Sequence, residues 1–136
     1  MASVKILDHL SDLKMEIQAE SLEKLYEEAL KAVSDLMAEV SSLAKESRSR
    51  EVVRWGRLGP SEDLIEFLSE ALSLMHLKKA VCFVEWIRFG EDCHEASLEF
   101  IRTDGFKMDV KAVTYHEALV EELEKGGWRS VLILDI

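Results

Sequence analysis

The chain has 136 residues, 48% of them apolar, and a formal net charge of −10. That size suits one domain spanning 1–136 with a real hydrophobic core and is too small for two ordinary ones. The negative charge argues against direct RNA binding, which draws affinity from Lys and Arg releasing phosphate counterions, and every apolar run falls short of the roughly 18 residues that a membrane-spanning helix needs.

The first residues, Met1-Ala2-Ser3-Val4-Lys5, lack the extended apolar core of a secretory leader, so a cytoplasmic location is expected. Residues 13–19 alternate, with Leu13, Met15, Ile17 and Ala19 set against Lys14, Glu16 and Gln18, the signature of a strand with one buried face. Ser21 then offers an N-cap, and Leu22, Leu25, Ala29, Val33, Leu36 and Val40 recur at helical spacing. The serine- and charge-rich stretch 41–49 reads as the helix end plus a connection, followed by a short strand over 52–58 carrying Trp55. Its basic residues Lys45, Arg48, Arg50, Arg54 and Arg57, interrupted by Glu46 and Glu51, read as a solvated loop and strand edge with the option of contacting an acidic partner.

Gly59-Pro60-Ser61 punctuates the chain, and Pro60 with Glu62 and Asp63 starts a second helix ending near Leu77. Residues 80–89, 95–102 and 106–115 read as three consecutive antiparallel strands, with turns at Gly90-Glu91-Asp92 and Thr103-Asp104-Gly105. Residues 117–125 are ambiguous: Glu, Leu and Ala favour helix by propensity, whereas Gly126-Gly127 before a terminal strand favours a hairpin. Cys82 and Cys93, without Cys-x-x-Cys spacing, read as small buried strand residues, and Trp55, Trp86 and Trp128 read as core. Helices separated by strands, and strands joined by tight turns, give an α+β class: largely antiparallel sheets covered by two helices.

The last run, 128–136, is a buried-strand pattern that ends on Asp135 and Ile136. If it neighbours the strand at 13–19, then Asp12, Asp135 and the Ile136 α-carboxylate converge, and three such anions call for a hard divalent cation: Ca²⁺, Mg²⁺ or Mn²⁺. Three protein groups leave most coordination positions to water, so the ion would exchange. His9 is placed to orient Asp12; His116 lacks a Ser or Cys nucleophile to activate. On residues alone, a small hydrolase using Asp12, Asp135, Ile136, His9 and a metal-bound water is an alternative.

The segments Asp8-His9-Leu10-Ser11-Asp12, Glu20-Ser21-Leu22-Glu23-Lys24-Leu25-Tyr26, Lys111-Ala112-Val113-Thr114-Tyr115-His116 and Leu134-Asp135-Ile136 together resemble the archease family. Where that family usually has His-Thr-Ala-Asp, this chain has His9-Leu10-Ser11-Asp12, and the stretch before Lys111 looks shorter. The resemblance implies the same α+β layout, a strand rather than a helix over 117–125, and a metal-binding accessory protein of the GTP-dependent tRNA-splicing RNA ligase. Such a protein promotes ligase guanylylation and turnover without sealing RNA itself, and meets RNA only indirectly. It also implies importance, without a role, for Lys111, Thr114 and His116. A chaperone-like modulator of an RNA-modifying enzyme is a further alternative.

Overall fold

In the computed structural model the described residues are 2–9 and 12–136, with the side chains at 7–9, 40 and 115–118 outside the description. Strand β1 (Ser3–His9), not expected from the sequence, pairs antiparallel with β2 (Asp12–Ala19). Val4 and Ile6 of β1 are exposed, so that strand lacks the buried alternation that marks β2, where Leu13, Met15, Ile17 and Ala19 all point into the core. The helix expected after Ser21 forms as α1 (Leu22–Met37), and the Ser21 hydroxyl accepts the Lys24 N–H at 3.1 Å.

The expected connection over 41–49 is instead a short 3₁₀ turn (Val40–Ser42) running into a long strand, β3 (Leu43–Trp55). This strand lies at a sheet edge, and apart from Val53 and Trp55 its residues are exposed or half-buried. Its serines and charges therefore mimic a loop in composition. What holds them in the sheet is backbone pairing to one neighbour and cross-strand ion pairs, Arg48 to Glu99 at 3.3 Å and Arg54 to Glu95 at 3.2 Å.

The second helix, α2 (Pro60–Lys78), starts on Pro60 as expected. It ends at Lys79, whose left-handed φ of 53° turns the chain into β4 (Ala80–Arg88). Strand β5 (His94–Thr103) follows, then β6 (Ala112–Glu122) and β7 (Trp128–Asp135). The strand expected over 106–115 begins only at Ala112, and it does not continue the β4–β5 meander. Between the two sheets the backbone bonds to helices instead: Lys107 N–H donates to Met37 O at 2.8 Å, and the His76 ring bonds Val110 O at 2.8 Å. That crossing carries the chain from one sheet to the other. Residues 117–122 are strand, so pairing with β7 overrides their helical propensity.

Two antiparallel sheets result, ordered β1-β2-β7-β6 and β3-β5-β4, and both helices pack against both of them. Tyr26 of α1, Phe67 of α2 and Trp55 of β3 meet at the centre with ring centroids 4.8 to 5.7 Å apart. Ser34 of α1, fully buried, covers the edge strand β4: its hydroxyl donates to Cys82 O at 2.7 Å and accepts Cys82 N–H at 3.3 Å.

Three side-chain expectations are corrected or refined. Cys82 is buried, and burial pushes its thiol well above the ordinary range, but Cys93 sits exposed in the loop before β5. Trp55 is core and Trp128 is half-buried, whereas Trp86 follows an irregularity in the β4 pairing and faces solvent, with the Arg88 guanidinium 5.6 Å from its ring centre.

Candidate functional site

Strand β2 opens on Asp12 and strand β7 closes on Asp135, and the antiparallel register makes the two direct partners. The next pair inward is Leu13 with Leu134, both buried. Side chains alternate along a strand, so burying that apolar pair turns both carboxylates to the opposite face, where both are exposed. The meeting of Asp12 with Asp135 expected from the sequence therefore occurs. Ile136 follows, half-buried and packed against the core.

Strand β6 borders the pair on the other side. Ala112 lies opposite Asp135, Thr114 lies opposite Ile133, and the exposed Lys111 donates its backbone N–H to Asp135 O at 2.7 Å. So Lys111 and Thr114, singled out in sequence, belong to the same corner of the sheet. His9 pairs through its backbone with Leu13, and His116 lies within β6. Both imidazoles fall outside the described residues.

The electrostatics of this corner differ from those a few residues further along the same strands. There Arg129 of β7 reaches Glu16 of β2 at 2.6 Å and Glu121 of β6 at 3.1 Å, a cross-strand row in which one guanidinium bridges two carboxylates. The bond to Glu16 raises the Arg129 pKa above its ordinary value. No local sequence pattern marks this row, since only the strand register brings Glu16, Glu121 and Arg129 together. Asp12 and Asp135, by contrast, have no ion-pair partner among the described residues. Like charges directly opposite on neighbouring strands are destabilising.

Two carboxylates side by side on an exposed sheet corner are a hard-oxygen donor set, so Asp12 and Asp135 fit a cation of the Ca²⁺, Mg²⁺ or Mn²⁺ kind rather than one that prefers thiolate. Among the described residues, no three His, Cys, Asp or Glu side chains gather into a complete metal-holding group. Nor is any helix among them long and apolar enough to cross a membrane.

The fold is shared, over nearly the whole chain, with solved structures that include the following two. The solution structure of Methanobacterium thermoautotrophicum protein 1598 matches with a TM-score of 0.75 at 19% identity, covering 98% of both chains. The crystal structure of an archease, possible chaperone, from Thermotoga maritima matches with a TM-score of 0.69 at 16% identity, covering 97% of this chain and 96% of that one. The chain thus has the fold of these small α+β proteins with two sheets and two helices.

Sequence comparison narrows this further. The profile of the Archease protein family (MTH1598/TM1083) matches residues 5–136. Protein archease of Methanosarcina mazei is 31% identical over 147 residues, 96% of this chain and 93% of that protein. Protein archease of Pyrococcus abyssi is 27% identical over 138 residues, 95% of each. This chain belongs to the archease family.

Proposed function

We propose that this archease is a cytoplasmic, metal-binding accessory protein that activates a GTP-dependent tRNA-splicing RNA ligase, promoting ligase guanylylation and multiple turnover. It does not seal RNA itself. Family membership supports the accessory role, and the observation that carries the site is the direct pairing of Asp12 with Asp135.

In this reading the carboxylates of Asp12 and Asp135, with the Ile136 α-carboxylate, hold a divalent cation. When bound, that ion supplies the positive charge that reactions at nucleoside triphosphates require. The chain's own residues do the positioning: the β2–β7 ladder fixes the two acids against each other, and the Lys111 N–H pins the backbone of Asp135 from β6. His9 is assigned to orient Asp12, while Lys111, Thr114 and His116 are assigned to the partner-facing rim.

The test is to mix the protein with the purified ligase, GTP and Mn²⁺ and follow guanylylation. Asp12→Asn and Asp135→Asn are expected to lose metal binding and stimulation together. A rate unchanged by the native protein at every ratio would reject the reading. The Thermotoga relative is described as a possible chaperone, which motivates a second reading as a chaperone-like binding module; stimulation retained by the Asp12→Asn/Asp135→Asn double variant would favour it.

A further inference from the structure

A cavity lies at the far end of the same strands. Trp128, the first residue of β7, pairs with Ala19 at the end of β2, seven positions from the Asp12–Asp135 pair and so about 23 Å from it along the strand. There the first turns of both helices converge with the β4–β5 turn and leave a cavity of about 300 Å³. Its apolar wall is Leu22, Tyr26, Leu58, Phe89 and Trp128, and its basic member is Arg57. A volume at the lower end of the ligand-pocket range, a mostly apolar lining and few polar groups describe a small-molecule site.

The polar groups decide what it takes. Asp63 and His94 both line the cavity and are both buried, but each is already satisfied within the fold. Asp63 Oδ1 accepts the N–H of Leu58 at 2.8 Å, tying the chain that enters α2 to its first turn, and its Oδ2 lies 3.3 Å from His94 Nε2. The other ring nitrogen of His94, Nδ1, accepts the Gly90 N–H at 3.2 Å. The proton therefore resides on Nε2 and is directed to Asp63, which leaves the imidazole no free nitrogen. This pair is a wall, not a reactive group.

Arg57 is different. It is exposed, its guanidinium donates only to the backbone oxygen of Glu91, and among the described residues it has no carboxylate partner in a chain of net charge −10. On β3, by contrast, Arg48, Arg50 and Arg54 each have one. Glu62 lies against Gly59 but is not part of the cavity wall. Tyr26, its phenol pushed up by burial, stays protonated and offers a hydrogen-bond donor rather than a second negative charge.

We infer that this cavity binds a small monocarboxylic acid with an aromatic or branched apolar body, the body against Trp128 and Phe89 and the carboxylate on Arg57. The site is independent of the acidic pair and of the ligase reading.

The experiment titrates the full chain with 3-phenylpropionate, its neutral amide and propionate, reading the Trp128 indole N–H by NMR. Phenylpropionate is expected to shift that resonance saturably, with the amide and propionate each about tenfold weaker, as the loss of one charge-assisted contact or of the apolar body predicts. Arg57→Met is expected to weaken the acid to the level of the amide while leaving the amide unchanged. Arg54→Met, which removes an arginine paired with Glu95, is expected to change neither. Equal binding of acid and amide, no effect of Arg57→Met, or no saturable shift at Trp128 each overturns the inference. So does binding by the peptide acetyl-Phe-Asp-amide alone, which would make the occupant a segment of a partner protein.

Discussion

Replacing Asp135 by Asn changes one exposed oxygen for nitrogen and removes one charge, and the proposed cation site predicts that its effect on stability reverses sign when the metal is added. In the metal-free protein Asp12 and Asp135 are direct cross-strand partners. Their Cβ atoms are then about 5 Å apart, where like charges repel by roughly 1 kcal/mol in a water-like medium and about 3 kcal/mol at an effective dielectric of 20. Exposure puts this pair toward the lower figure. Chelated Asp135→Asn protein should therefore melt higher than the native chain, by about 2 to 5 °C for a domain of this size.

With calcium bound as proposed, the order is expected to invert. At a free concentration a hundred times its Kd, a ligand specific to the folded state stabilises it by about 2.7 kcal/mol, and the variant, with one ligand removed, gains little of this. Calorimetry after chelation, then with calcium restored, reads both signs. Asp12→Asn should behave in the same way, and the double variant should gain little more than either single change, because the repulsion is one shared interaction. A variant that melts lower than native without metal, together with an equal calcium response in both proteins, would refute the site.

Two further outcomes test the scaffold around it. Ser34→Ala should leave the buried Cys82 N–H and carbonyl without partners and cost about 2 kcal/mol, read as a lower urea midpoint at unchanged slope. Arg129→Met should leave Glu16 and Glu121 facing each other across β7 and cost about 1 kcal/mol, with the difference from native shrinking in high salt.

The parts of the fold that were legible in sequence are those in which burial and chain direction agree locally. Leu13, Met15, Ile17 and Ala19 alternate because one face of β2 is core, and Ser21 announces α1 by its hydroxyl. What escaped was held by pairing rather than by burial. Strand β1 alternates only through Val4 and Ile6 before Leu7 breaks the pattern, and leaves both exposed, while β3 is an edge strand whose residues before Val53 are exposed or half-buried and carry no period-two signal. The stretch 106–111 has strand-like composition but bonds to helix ends, and no local pattern reports that. Trp86 has the residue type of a core position, yet its placement depends on an irregularity in the pairing with β5. At the site, Asp12 and Asp135 were legible because each bounds a recognisable apolar run. The Arg129 row depends on register across three strands and was not.

The same dependence on register gives the acidic pair a physical meaning beyond its donor atoms. Glu16 and Arg129, bonded across β2 and β7, are 113 residues apart in sequence, so the ladder that joins Asp12 to Asp135 forms only when the two ends of the fold meet. In the unfolded chain the two carboxylates are separate exposed acids with no shared affinity for a cation. Nearly all the binding free energy of an ion held between them is therefore added to the native state, and closing β2 against β7 in turn creates the donor set. On the proposed function, cation affinity at this corner and pairing of β2 with β7 are one equilibrium seen from two sides. Mutations that loosen the ladder at a distance, Arg129→Met among them, should then weaken cation binding without touching either acid.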